Sequence, residues 1–313
     1  MKKMIVLCLL FLSMDGETSE KQLVYLVSDL RIPFWEIMRR GVTSKANVYD
    51  YDVLVLSANN DAKQELENLV LAIDMKADAI IMSPTNSSAA VTLLNLAKQA
   101  QIPVVIADIG AESGDYLSYI KSNNLQGAYD LGKMLAAKME RSSSVDGTVG
   151  IIAIPQMRVN GQQRTQGFIA ALDESGIDVN GLYQQVDFSY QETFDYTIEI
   201  LTKNPRTRAI WLQGSNRYQA ALDGIAKMGK GKEVLLICFD AEPEFLELLR
   251  TGVIVGAAMQ QPFKIGERSV ETVYEFWQGT KIESTQELKV LAVDKNSLDS
   301  QEEEIKRNVL GLD

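Results

Sequence analysis

The chain contains no histidine and only two cysteines, Cys8 and Cys238. The first absence removes the commonest general base and the commonest metal ligand, and with them any Ser-His nucleophile pair. The two cysteines form neither a Cys-x-x-Cys pair nor a zinc-ligand spacing. An excess of positive charge is lacking too: the net charge is -11 and the pI about 4.8. Such a chain repels phosphate backbones, so no nucleic-acid partner is expected. No Gly-x-Gly-x-x-Gly fingerprint follows a strand-like segment, and no Gly-x-Ser-x-Gly elbow occurs. A partial P-loop, Gly224 to Gly231, has glycine where Ser or Thr must reach magnesium, and it closes a helical segment instead of opening one. Glycine caps at a helix C-terminus account for it. Paired carboxylates could still hydrolyse a glycoside, which residue types alone leave open. Neither a cofactor nor a metal is expected, and an enzyme is the disfavoured reading.

What is present fits a soluble protein of about two domains: 313 residues, 46% hydrophobic and 23% charged. Each half is long enough to bury a core without disulfide or metal staples. Lys2 and Lys3 precede a ten-residue apolar run, Ile5 to Met14, and polar residues follow from Asp15 to Lys21. A basic start, a short apolar run and a polar spacer over 1–21 read as a signal peptide and predict a periplasmic product, although no Ala-x-Ala-like cleavage site is visible. The run is shorter than the about 20 residues a bilayer span needs. Removal of this segment would leave Cys238 alone, in the strand-like run VLLICFD, and exclude an intramolecular disulfide.

From Leu23 onward, short strand-like runs alternate with helical stretches. Strands are expected at 23–28, 51–57, 79–83 and 104–107, with helices at 33–49, 63–75, 87–99 and 125–139 between and after them. The pattern restarts at Thr148. Strands at 148–154, 181–186, 209–212, 234–238 and 253–258 alternate with helices at 164–175, 190–204, 219–228 and 243–251, and a long helix at 263–278 follows. The acidic run Gln301 to Glu304 reads as the exposed face of a terminal helix. Strand-helix alternation means right-handed crossovers and a parallel sheet covered on both faces. Two successive sets predict an α/β protein of two doubly wound lobes, whose ligands lie beyond the C-terminal strand ends. Those ends carry polar groups interleaved with aromatics: Phe34-Trp35, Ser83-Pro84-Thr85-Asn86, Asp108, Arg164, Asp187-Phe188, Gln213 to Asn216, Phe239-Asp240 and Gln260-Gln261. Ring faces that pack on a sugar, and hydrogen-bonding groups that meet its hydroxyls, have this composition.

The chain resembles the type 1 periplasmic binding proteins, most closely the ribose-binding group, from about Leu23 to Val293. The resemblance is carried by Val27-Ser28 through Pro33-Phe34-Trp35, Ser83-Pro84-Thr85, the run Ile102 to Asp108, Gln163-Arg164 through Gly167-Phe168, and Cys238-Phe239-Asp240. It implies two lobes joined by a three-segment hinge near 122–124, 259–261 and 287–288. The domains would be 22–122 plus 261–287 and 123–260 plus 288–313, with the long helix in the first lobe. It implies sugar-facing rings at Phe34, Trp35 and Phe188, acceptors at Asp108 and Asp240, a donor at Arg164 and a polar contact at Gln260. Ser83 and Gly214 stand where the group has asparagine, Ile32 also replaces asparagine, and Ile109 replaces arginine. Ribose itself is therefore not the expected ligand; Asp29, Arg31, Ser215 and Asn216 are the residues able to compensate. Asp108, Asp240 and Arg164 alone sum to -1, which favours a neutral ligand, then a cationic one, with an anionic one last.

The resulting expectation is a secreted, monomeric solute-binding protein. It closes on a small neutral sugar or sugar-like molecule and delivers it to the membrane permease of an ABC transporter. A ligand-sensing partner of a membrane sensor kinase or chemoreceptor is the alternative. A transcription regulator of the same fold would need a basic helix-turn-helix before the first lobe, where only 22 residues precede Leu23.

Overall fold

Strand β1 (Gln22–Val27) shows why the sheets are covered on both faces. Its alternate residues Leu23, Tyr25 and Val27 join one apolar cluster, and Val24 and Leu26 join another on the opposite side. A continuous apolar run of this kind has no polar face to give to water, so helices must pack on both sides. The computed structural model describes residues 21–142 and 146–312; the segment read as an export signal, Cys8 included, lies outside them. After β1 come α1 (Pro33–Val48), β2 (Asp52–Ser57), α2 (Ala62–Asp74), β3 (Ala79–Ser83), α3 (Ala89–Gln99), β4 (Val104–Ala107) and β5 (Ser118–Ser122). The second set runs α4 (Asn124–Arg141), β6 (Thr148–Ala153), α5 (Val159–Asp173), β7 (Val179–Gln184), α6 (Tyr190–Lys203) and β8 (Thr207–Leu212). It continues with α7 (Tyr218–Lys227), β9 (Leu235–Phe239), α8 (Phe245–Thr251) and β10 (Gly256–Met259). The chain ends in α9 (Pro262–Trp277), β11 (Thr285–Leu288), β12 (Leu291–Val293), α10 (Leu298–Glu304) and a π-helical turn, Ile305–Val309.

The strands form two sheets, ordered β11-β5-β4-β3-β1-β2 and β12-β10-β9-β8-β6-β7. Among the described residues all pairings are parallel except β12 on β10. The order is the same in both, so the two α/β lobes expected from the alternation are present as repeats of one winding. The chain passes between sheets after β5, after β10 and after β11. These passages are bonded to one another: Asn123 N–H donates to the Leu288 carbonyl at 2.9 Å, and Gln261 Nε2 to the Lys289 carbonyl at 2.8 Å. Although α9 follows β10 of the second sheet, it packs on α1, and its Ile265, Val270 and Val273 join the first sheet's core.

Three strands escape the apolar-run criterion. β5 reads SYIKS and buries alternate residues only, while β11 (TQEL) and β12 (LAV) are edge strands too short or too polar to stand out. Helix α5 starts at Val159, five residues before the expected Arg164. Asn160 and Gly161 weaken its opening turn in sequence, whereas burial of both sustains it.

In each lobe one helix pair touches at the backbone through glycine. A Cβ on Gly41 would lie 2.1 Å from the Phe263 carbonyl oxygen, and one on Gly266 2.3 Å from that of Met38, which fixes α1 against α9. A Cβ on Gly167 would lie 2.1 Å from the Leu125 carbonyl oxygen, holding α5 to α4 in the same way. Both pairs end at the cleft and aim its residues. Gly41→Ala is expected to lower the thermal unfolding midpoint, at a cost of roughly 1–3 kcal/mol for forced overpacking. Gly231→Ala, where an added Cβ meets nothing within 4 Å, should leave it nearly unchanged. Equal midpoints for the two variants in a calorimetric scan would contradict this account.

Candidate functional site

A cleft enclosing about 450 Å³ of atom-free space, part of it open to solvent, lies between the two sheets at the C-terminal strand ends. The first lobe lines it with Ile32, Phe34 and Trp35 at the start of α1 and with Asp108 after β4. The second lobe adds Ile154, Arg158, Asn160 and Arg164 on and before α5, Phe188 before α6, Gly214 to Asn216 after β8, and Asp240 after β9. Gln260, in the passage after β10, completes the wall.

Asp108 and Asp240 occupy equivalent places, one residue past β4 and β9. Both have left-handed backbones, with φ of 65° and 66°, a conformation costly for residues with a Cβ. Each is held there by its neighbouring strand: Asp108 N–H bonds the Ile120 carbonyl at 2.9 Å and Asp240 N–H that of Ala258 at 2.8 Å. Phe188, at φ 55°, is held likewise. Its N–H donates to Glu192 Oε2 at 3.0 Å and its carbonyl accepts from Arg217 Nε at 2.5 Å. Strain maintained at three cleft residues by surrounding bonds is the mark of a preorganised site.

Arg164 is buried on the second turn of α5. Its guanidinium stacks on the Phe239 ring, with Cζ 3.9 Å from the centroid, and donates to Asn124 Oδ1 at 2.8 Å, the Gln213 carbonyl at 2.8 Å and Asp240 Oδ2 at 3.4 Å. Asn160 lies one helical turn earlier on the same face and donates to Asp108 Oδ2 at 3.1 Å. Gln260 Nε2 donates to Asp240 Oδ1 at 2.8 Å. The Phe34 and Trp35 rings meet edge to face, with centroids 4.8 Å apart. Trp35 therefore serves both the core of its lobe and the cleft wall. Three cleft residues carry a buried polar atom with no hydrogen-bond partner: Asp108 Oδ1, Gln260 Oε1 and Asn216 Nδ2. Two acceptors and one donor, drawn from both lobes, are thus open to a bound molecule, and leaving such groups unmet is costly.

Of the nine residues expected at the site, eight line the cleft: Phe34, Trp35, Asp108, Arg164, Phe188, Gly214, Asp240 and Gln260. Ser83 does not. It alternates along β3 onto the face of Ala79 and Ile81, towards α1, where its hydroxyl meets Tyr25 Oη at 3.2 Å and Met38 Sδ at 3.7 Å. Arg158 and Asn160 were missed, because placing the helix start at Arg164 left them in a loop. Among the candidates for compensation, Ser215 and Asn216 line the cleft. Asp29 and Arg31 instead pair with each other, Arg31 Nη2 donating to Asp29 Oδ2 at 2.7 Å, with the Arg31 side chain 68% exposed. Ile109 is core. Asp108, Asp240 and Arg164 carry a formal sum of -1, and adding Arg158 gives the cleft two carboxyls and two guanidiniums, formally zero.

Burial dominates the protonation of these groups. It pushes the Asp108 carboxyl up to about 7, with Arg164 opposing, Asp240 adding to the rise, and Arg158 and Asn160 opposing. Burial lowers Arg158 to about 10, which leaves it charged at neutral pH. Two supporting carboxyls behave like Asp108. Glu65, which accepts from Thr85 N–H and Oγ1 at 2.8 Å each, and Glu242, which accepts from Ser215 Oγ at 2.8 Å, are both raised to about 7 by burial.

The family model for the periplasmic binding protein domain matches residues 23–281. The ribose import binding protein of Haemophilus influenzae is 28% identical over 91% of this chain and 96% of its own length. Among solved structures, a carbohydrate transporter solute-binding protein of Agrobacterium radiobacter in complex with D-arabinose superposes with a TM-score of 0.84 at 23% identity, covering 93% of this chain and 99% of that one. A periplasmic solute-binding protein of Actinobacillus succinogenes with bound D-allose gives 0.82 at 24%, covering 90% and 100%. At these identities the two structures speak for the fold alone.

Raised carboxyls set the pH dependence of stability. Asp108, Glu65 and Glu242 hold their protons more tightly folded than unfolded, about 7 against 3.8 to 4.5. Their contribution is complete below about pH 4 and is lost as pH rises through about 7. The thermal midpoint of the ligand-free protein is expected to fall between pH 5 and 8, less steeply in Asp108→Asn. A midpoint that rises over that interval would contradict the assignment.

Proposed function

The chain belongs to the periplasmic binding protein domain family, and from that premise we propose that it captures a small neutral sugar or sugar-like polyol between its lobes and delivers it to the membrane permease of an ABC importer. The observation that carries this reading is the cleft's open hydrogen-bonding capacity. Asp108 Oδ1 and Gln260 Oε1 accept, Asn216 Nδ2 donates, and the three lie among the rings of Phe34, Trp35 and Phe188. Hydroxyls both donate and accept, and the apolar face of a sugar ring packs on aromatic carbon. Two carboxylates balanced by two guanidiniums leave no net charge for a ligand to neutralise.

Curated relatives fit this reading by name: ribose import binding proteins at up to 28% identity and D-apiose import binding proteins at up to 26%. Ile32, which lines the cleft and is apolar where the ribose-binding pattern is polar, points to a ligand with fewer hydroxyls than ribose. The protein works as a monomer in the periplasm, with no cofactor, and catalyses nothing. Closure excludes water and strengthens each ligand bond.

A thermal-shift screen over D-ribose, D-allose, D-apiose, myo-inositol and deoxysugars is expected to yield at least one stabilising ligand, confirmed by calorimetric titration. Arg164→Ala should weaken it by roughly 1.5–3 kcal/mol, about 10-fold or more, since a buried charged donor is lost. Affinity should rise with pH up to about 7 and then level off, because a ligand hydroxyl donating to Asp108 favours the carboxylate over the acid. Tight binding of a phosphate or carboxylate compound, or wild-type affinity in Arg164→Ala, would sink this function.

A further inference from the structure

Arg158 belongs to the second lobe, where it is the N-terminal cap residue of α5, yet its side chain is bonded into the first. Nε donates to the Thr85 carbonyl at 3.0 Å, and Nη2 to Asn60 Oδ1 at 2.9 Å and Ser28 Oγ at 3.4 Å. Thr85, Asn60 and Ser28 follow β3, β2 and β1, so one guanidinium gathers the ends of three adjacent strands of the opposite lobe. The receiving loops are prepared for it. Asn59 and Asn60 both adopt left-handed backbones, φ 52° and 62°, and Asn60 N–H is fixed to the Ser28 carbonyl at 2.8 Å. The buried carboxyl of Glu65 grips the Thr85 backbone and hydroxyl from behind. The charged groups facing the guanidinium are Asp108, Arg164, Glu65 and Asp29. The next residue of α5 crosses as well, Val159 N–H donating to Ser87 Oγ at 3.2 Å.

We propose that Arg158 is the closure-determining residue of this protein, a latch that holds the two lobes together through bonds made entirely to the protein itself. The inference rests on the reading of the cleft as one that opens and closes around a ligand. All three acceptors are protein groups: a backbone carbonyl, an amide and a hydroxyl. The latch therefore forms with or without ligand, and the ligand-free chain populates the closed arrangement. A binding-competent state that is already populated tightens apparent affinity in proportion to its population. The latch also sets ligand charge, since its guanidinium brings the cleft to neutrality.

Small-angle scattering of the ligand-free protein tests this directly. Arg158→Ala should show a larger radius of gyration than wild type. Asn60→Gly keeps the left-handed backbone but removes the amide acceptor, and should shift the same way by less. Hydrogen exchange at the Val159 amide should accelerate about 10-fold or more in Arg158→Ala, the loss expected for a charged hydrogen bond. Identical radii and unchanged Val159 exchange in folded Arg158→Ala would overturn the latch. Should that variant fail to fold, Asn60→Gly decides by the same two readouts. Because no ligand is present, failure of every sugar to bind would overturn the proposed function while the scattering result still judges the latch.

Discussion

An ion moved out of water needs an opposite charge or a set of hydrogen bonds, or it loses its charge. In this chain that requirement falls on Asp108, Arg158 and Arg164, which are buried, and on Asp240, which is nearly so, all at the cleft between the two lobes. The groups are shared unequally. Asp108 comes from the first lobe, and the other three come from the second. The lobes thus meet in the register that sets Asn160 against Asp108 and Arg158 into the strand ends of its neighbour. Arg164 does not cross; it is tied to Asp240 and the Gln213 carbonyl within its own lobe and stacked on Phe239. One guanidinium is a fixed part of the wall and the other spans the gap.

The repeated winding makes this arrangement possible. Because both sheets have the same strand order, β4 and β9 end at matching points, and each delivers a left-handed aspartate to the cleft. The strain is local, and its compensation lies next door, in the bonds from Asp108 to Ile120 and from Asp240 to Ala258. The helices that carry the remaining side chains are positioned by backbone contact at Gly41, Gly266 and Gly167, where any Cβ would intrude. Side-chain placement at the cleft thus rests on backbone packing well outside it, and the three passages between sheets lie together along one bonded seam.

The legible part of the site was the part set by strand ends. Asp108, Asp240, Gly214 and Gln260 each stand at or soon after a strand that an apolar run announces, Phe188 follows the more polar β7, and the fold places such residues at the cleft. Ser83 meets the same description yet points into the core, because period-two alternation on β3 assigns it to the face of Ile81. Arg158 and Asn160 were illegible for the opposite reason. The stretch Pro155 to Gly161 has little helix propensity, and the helix opening at Val159 is sustained by the burial of Arg158, Asn160 and Gly161 beside it. A capping box or a hydrophobic staple would have marked the start; no side chain caps α5.

The amino-acid sequence by itself determined the two-lobed parallel α/β architecture. Runs such as LVYLV and LLICF can be satisfied only by helices on both faces, and their alternation with amphipathic segments leaves one class of winding. It also determined the absence of histidine chemistry and the polar-aromatic character of the strand ends. Only the tertiary structure decided the half-polar strand β5 and the polar edge strand β11, which exist because neighbouring strands offer them a ladder. The charge balance of the cleft was decided there as well. Whether a side chain counts towards that balance depends on which lobe it enters, and Arg158 is separated from Asn60 by 98 positions of sequence. Local propensity carries no information about a bond that forms only when two independently wound sheets come face to face.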